Sequence, residues 1–116
     1  MISKRTRQLV YDKYNGHCAY CGCEISLSEM QVDHIMPKRR GHNSTDAGTD
    51  DIENLNPSCR TCNYYKGMGT PDDLRKRVQA LIPMVRRPVV FRLAERYGMV
   101  EVKEWDGKFY FERKEE

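Results

Sequence analysis

Met30-Gln31-Val32-Asp33-His34-Ile35-Met36-Pro37 sets a carboxylate beside an imidazole, after an apolar residue and shortly before a proline. A Cys-x-x-Cys pair stands on either side: Cys18 and Cys21 upstream, Cys59 and Cys62 downstream. These residue types point to chemistry. Thiolates at that spacing, on a tight turn opened by Gly22, can grip one metal ion. A hard carboxylate oxygen such as that of Asp33 can hold Mg²⁺ or Mn²⁺. A neutral imidazole such as that of His34 can accept a proton from water near pH 7. Each cysteine pair alone is a weak signal, and two together are a strong one. The spacer between the pairs, residues 22–58, exceeds the usual zinc-ribbon length, so something is inserted there, and Asp33-His34 lies within it.

The rest of the chain bounds what this centre can belong to. At 116 residues there is room for one domain and one modest core. The composition is 39% hydrophobic and 32% charged, polar for its size, and a small polar domain needs a staple. The charged N-terminus is followed by no apolar signal region, and no run is long enough to span a membrane. A cytoplasmic location is expected. Five cysteines without a secretory signal favour metal over disulfides, with structural Zn²⁺ on Cys18, Cys21, Cys59 and Cys62 and Cys23 left over. The net charge of +3 is a mild signal for a polyanion. The basic residues between Arg60 and Arg96, Arg75, Lys76, Arg77, Arg86 and Arg87 among them, make either a nucleic-acid face or a solvated one.

Taken in order, residues 4–14 read as a helix ended by Asn15-Gly16, with Lys4, Arg5 and Arg7 as phosphate contacts or a solvated end. Residues 31–35 read as a short strand with Val32 inward, and Pro37 ends its ladder. Adjacent residues on a strand face opposite sides, so Asp33 and His34 can share a site only where the strand ends. Residues 41–49 have loop composition. Residues 51–56 return as a second strand, and Ser58 caps a helix over 59–66 closed by Gly67. Thr70-Pro71-Asp72-Asp73 opens a helix with the stripe Leu74, Val78, Leu81, Ile82, stopped at Pro83. A further helix covers 89–97. Asp106-Gly107 predicts a closing β-hairpin with Val100, Val102, Phe109 and Phe111 on one face.

The set Cys18-x-x-Cys21, Asp33-His34-Ile35-x-Pro37, Asn54-Leu55, Cys59-x-x-Cys62-Asn63, Lys66-Gly67 resembles the HNH endonucleases of the zinc-knuckle type. The resemblance covers about residues 5–68 and does not extend to residues 69–116, which form a helical and hairpin extension of the same domain. It implies an α+β fold with a small ββα-metal core stapled by the four-cysteine zinc site. It implies His34 as general base, Asp33 and Asn63 as ligands of a catalytic Mg²⁺ or Mn²⁺, and Asn54 as the brace of the loop near the base. Many members carry His where Asn63 stands; the HNH domains of RNA-guided CRISPR nucleases share the Asp-His, Asn, Asn set. Lys38, Arg39, Arg40, Arg60 and Lys66 are candidate nucleic-acid contacts, although Lys66 also suits a helix C-terminus. His42 either touches substrate or is an exposed loop residue. The expected activity is metal-dependent hydrolysis of DNA, one strand per site. The rivals are a non-cutting, zinc-stapled binding module and an accessory subunit of a larger phage or mobile-element complex, docked to a protein partner through residues 69–116.

Overall fold

The computed structural model describes residues 2–37 and 48–115. Lys38, Arg39, Arg40 and His42 lie outside the described residues. Helix α1 spans Lys4–Lys13, with Ser3 as N-cap accepting from the Thr6 amide. Its buried residue Val10 meets Met30 and Leu55 in one small core, with Val32 packed partly against it. Two of its cations serve the fold. Arg7 donates to the carbonyls of Leu27 and Met30, both at 2.6 Å, and Lys13 to that of Leu55 at 2.7 Å. The long side chains of α1 thereby tie the helix to both ends of the sheet.

Strands β1 (Gln31–His34) and β2 (Leu55–Ser58) pair antiparallel, with Asp33 opposite Asn56 and His34 opposite Leu55. The second strand begins later than its composition predicts. Residues Ile52–Asn54 form a 3₁₀ turn instead, because the Asn54 amide bonds back to the Asp51 carbonyl at 2.8 Å. Pro57 has no N–H to give, but its carbonyl accepts from Ala19 at 2.8 Å and so docks the first knuckle on the sheet. Helix α2 spans Arg60–Lys66. Its N-cap is Cys59, whose Sγ accepts from the Cys62 amide at 3.4 Å; Ser58 is buried at the end of β2 and does not cap.

Helix α3 (Pro71–Gln79) opens on a capping box between Thr70 and Asp73, with Pro71 in the first turn. Pro83 does not stop it. The helix ends at Ala80, and Pro83 is the third residue of a new helix, α4 (Leu81–Val85), where its missing N–H has no intrahelical partner to lose. Helix α5 spans Val89–Arg96. The predicted closing hairpin is absent. Asp106 Oδ1 accepts from the Lys108 amide at 3.0 Å, Glu112 Oε1 from the Phe109 amide at 2.8 Å, and residues Tyr110–Lys114 form helix α6. The amides of Tyr110 and Phe111 bond to the carbonyls of Tyr20 and Ala19, at 3.0 and 2.8 Å. Phe109 is buried and Phe111 packs beside it, while Val100 is exposed. The tail thus spends its donors on the first knuckle rather than on a partner strand.

A second core joins the knuckles to this tail: Cys18, Ala19, Tyr20, Leu74 and Phe109. Gly22 sits against it with φ +80°, and a Cβ there would stand 2.7 Å from the Tyr110 ring. The radius of gyration is 16.6 Å, against roughly 13 Å for a compact 100-residue domain, as the extents of 50 × 35 × 28 Å show. No helix among the described residues is long and apolar enough to cross a membrane.

Candidate active site

Two knuckles bring four thiols together. The Sγ atoms of Cys18, Cys21, Cys59 and Cys62 all lie within 4.8 Å of one another, with Cys21 and Cys59 at 3.9 Å. Tetrahedral zinc with bonds of about 2.3 Å sets its sulfurs about 3.8 Å apart, so the cluster fits that ion with little adjustment. Hydrogen bonds from Cys21 and Cys62 hold the Cys18 thiol far down. The same contact with Cys18 pushes Cys21 up to about 12 and Cys62 further still. One thiolate forms readily and then opposes the next; a divalent cation removes that opposition. Cys23 is exposed and outside the cluster.

The second centre lies where β1 ends. Asp33, His34 and Asn63 line one shallow depression of about 170 Å³, together with Val32, Pro37, Gly67 and Met68. Asp33 is 4% exposed. Burial pushes its carboxyl above the usual range despite the opposing pull of the Tyr20 hydroxyl and the Lys66 ammonium. Tyr20 donates to Oδ2, and Lys66 Nζ lies 3.1 Å from Oδ1. Asn63 sits on α2, one residue beyond the last knuckle cysteine, and its side-chain amide carries no hydrogen bond among the described residues. An aspartate and an amide oxygen are hard donors that suit Mg²⁺ or Mn²⁺, so the residues present fit such an ion.

His34 is the last residue of β1, and its ring is fastened from one side. Nε2 lies 2.7 Å from Asp50 Oδ1. No described residue hydrogen-bonds Nδ1. In the tautomer whose Nε2–H donates to the Asp50 carboxylate, Nδ1 keeps its lone pair. Asn54 closes the base of the loop between the strands. Its Oδ1 accepts from the Met36 amide at 2.9 Å, and its Nδ2 donates to the carbonyls of Met36 and Thr49 at 3.1 and 2.8 Å. Gly48 passes so close that a Cβ there would stand 1.7 Å from the Met36 carbonyl oxygen. Both ends of the loop are therefore held beside His34.

The basic candidates separate. Lys66 is fully buried, and its Nζ is used on Asp33 and, at 2.7 Å, on the His34 carbonyl. That placement takes it out of reach of a phosphate. Arg60 lines a different recess, with Ile25, Glu29, Gln31 and Cys59. Arg75 forks onto Glu112 and lies 4.7 Å over the Phe109 ring. Arg86 pairs with Glu95. Two residues of the centre escaped the sequence reading. Tyr20 carried one signal, its place inside a cysteine pair. Asp50 was one acid among Asp46, Asp50, Asp51 and Glu53, with nothing to single it out.

Residues 18–68 match the family model described as HNH endonuclease. Over 55 residues, 47% of this chain, the sequence is 44% identical to the CRISPR-associated endonuclease Cas9 of Corynebacterium diphtheriae, and it spans 5% of that relative's length. The Type II-C Cas9 enzyme from Actinomyces naeslundii superposes with a TM-score of 0.46 at 21% identity, over 65% of this chain and 10% of that one. The antiparallel strand pair, the helix after the second knuckle and the clustered cysteines all lie within the segment, residues 18–68, that matches the HNH endonuclease model.

Proposed function

We propose that the protein is a metal-dependent endonuclease that hydrolyses DNA phosphodiester bonds, cutting one strand at its one site. The observation that carries the reading is the depression at the end of β1, where the side chains of Asp33, His34 and Asn63 converge. Asp33 and Asn63 hold a Mg²⁺ or Mn²⁺ ion, which when bound neutralises charge on the phosphate and the leaving oxygen. His34 accepts the proton of the attacking water at Nδ1 while Asp50 holds Nε2. The hydroxide so formed bonds to phosphorus as the bond to the leaving sugar oxygen breaks. Asn54 keeps the loop closed behind His34, and Cys18, Cys21, Cys59 and Cys62 hold Zn²⁺ as a staple. DNA contacts from Lys38, Arg39, Arg40 and Arg60 belong to the same reading.

Plasmid nicking in Mg²⁺, Mn²⁺ or EDTA tests it, with wild type and His34→Ala side by side. Cutting that needs the metal and the histidine supports the proposal. If no divalent ion supports cutting of any DNA form, the non-cutting module takes its place. One observation favours a further reading, a piece of a larger assembly docked through residues 69–116. Val89, Val90, Leu93 and Tyr97 of the α5 segment are exposed apolar residues.

A further inference from the structure

The first knuckle reaches strand β1 through the side chain of Tyr20. Tyr20 stands between Cys18 and Cys21, is 3% exposed, and donates its hydroxyl proton to Asp33 Oδ2. The other carboxylate oxygen faces Lys66 from α2. Tyr20 itself is held firmly. Phe109 and Phe111 meet its ring edge-on, with centroids 5.2 and 5.8 Å away. Its carbonyl accepts from the Tyr110 amide.

We propose that Tyr20 is a positioning residue for the divalent-metal site: it fixes the plane of the Asp33 carboxylate and couples that site to the cysteine knuckle and to residues 109–111. This rests on the reading of Asp33 as a metal ligand. A side-chain carboxylate can rotate about its last bond, and a donor locked onto Oδ2 removes that freedom. Oδ1 is then presented in one direction, beside the Lys66 ammonium. Hydrogen-bond partners of ligating carboxylates typically change metal affinity by about 10–100-fold when removed. The arrangement also places residues outside the HNH segment behind a ligand inside it.

The experiment uses the full chain as wild type, Tyr20→Phe and Asp33→Ala. Mn²⁺ affinity is read from the electron spin resonance signal of free Mn²⁺, and zinc content and melting temperature are measured on the same samples. Tyr20→Phe should keep its zinc and bind Mn²⁺ about 10–100-fold more weakly; Asp33→Ala should lose the site. A lowered melting temperature in Tyr20→Phe with wild-type Mn²⁺ affinity would show that the hydroxyl serves stability alone, and would overturn the proposal. Equal Mn²⁺ binding by wild type and Asp33→Ala would remove the reading of Asp33 and this inference together. If Tyr20→Phe does not fold, wild type with ¹³C-labelled tyrosine decides. The Tyr20 ring carbon bearing the hydroxyl should shift on saturation with Mg²⁺, and an unmoved resonance overturns the coupling.

Discussion

Lys66 Nζ lies 3.1 Å from Asp33 Oδ1, and the two side chains are 0% and 5% exposed. This is a buried ion pair at the edge of the depression proposed to hold the divalent ion. Its attraction is large because little water screens it, and so is the cost of having removed both charges from water. Removing one partner leaves the other charge stranded. Lys66→Met should therefore destabilise the metal-free protein by about 3–5 kcal/mol. Saturating Mg²⁺ should recover part of that loss by supplying the missing positive charge, and Asp33→Asn added to Lys66→Met should recover part of it without metal. Urea denaturation of the two variants, with and without Mg²⁺, measures all of this; equal stability of Lys66→Met and wild type would contradict it.

His34 and Asp50 divide one task. His34→Ala should bind DNA and Mn²⁺ as wild type does but cut about 10²–10⁴-fold more slowly, the usual size of a general-base effect. Asp50→Asn keeps the imidazole and loses the carboxylate that holds the Nε2 proton. It should cut more slowly than wild type and faster than His34→Ala, with DNA affinity unchanged. Nicking rates and gel-shift affinities for the three proteins test the order.

The knuckle should behave as one folding unit. Cys21→Ser should lose the structural zinc and most of its cooperative unfolding transition, since the binding energy of such a site is folding energy. Cys23→Ser should keep both, because Cys23 stands outside the four-thiol cluster. Metal content by mass spectrometry alongside circular dichroism reads both outcomes. Zinc loss in Cys23→Ser with retention in Cys21→Ser would reverse the ligand assignment.

Phe109 is 3% exposed and touches the rings of Tyr20, Trp105 and Phe111. Phe109→Ala should cost about 3–5 kcal/mol. An unchanged melting temperature would show that the tail does not pack on the knuckle.

Arg75 and Glu112 form a two-pronged pair at 2.8 Å for each prong. The hydrogen bond from Arg75 is the main reason the Glu112 carboxyl sits below its usual range. A lowered carboxyl means that the folded state favours the charged form. The contribution is therefore present above the ordinary carboxylate value of about 4.3 and is lost as pH falls through the lowered one. Glu112→Gln should cost about 0.5–1 kcal/mol at pH 7, with the difference from wild type shrinking in acid. Melting curves from pH 7 down to pH 3 give the comparison; a gap that widens in acid would refute the assignment.

The sequence by itself determined what depends on neighbours along the chain. Cysteine spacing announced the four-thiol cluster, because a Cys-x-x-Cys turn aims both thiols at one point whatever surrounds it. Thr70-Pro71 and Asn15-Gly16 marked helix ends because caps use only local atoms. The Asp33-His34 pair and the matching downstream motifs placed the HNH segment. Local signals misled where two solutions competed. Asp106-Gly107 is a hairpin turn only if a partner strand takes the donors beyond it, and here the carbonyls of Ala19 and Tyr20 take them. Only the tertiary structure decided the partners of Asp33 and His34. Tyr20 and Asp33 are 13 positions apart, His34 and Asp50 are 16, and Asp33 and Lys66 are 33. Sheet register and the docking of the knuckle on Pro57 set those distances, and neither follows from the composition of any one stretch. Lys66 shows the difference most plainly: in sequence it reads as a phosphate contact or a helix C-terminal cation, and the fold buries it as the counter-charge of Asp33.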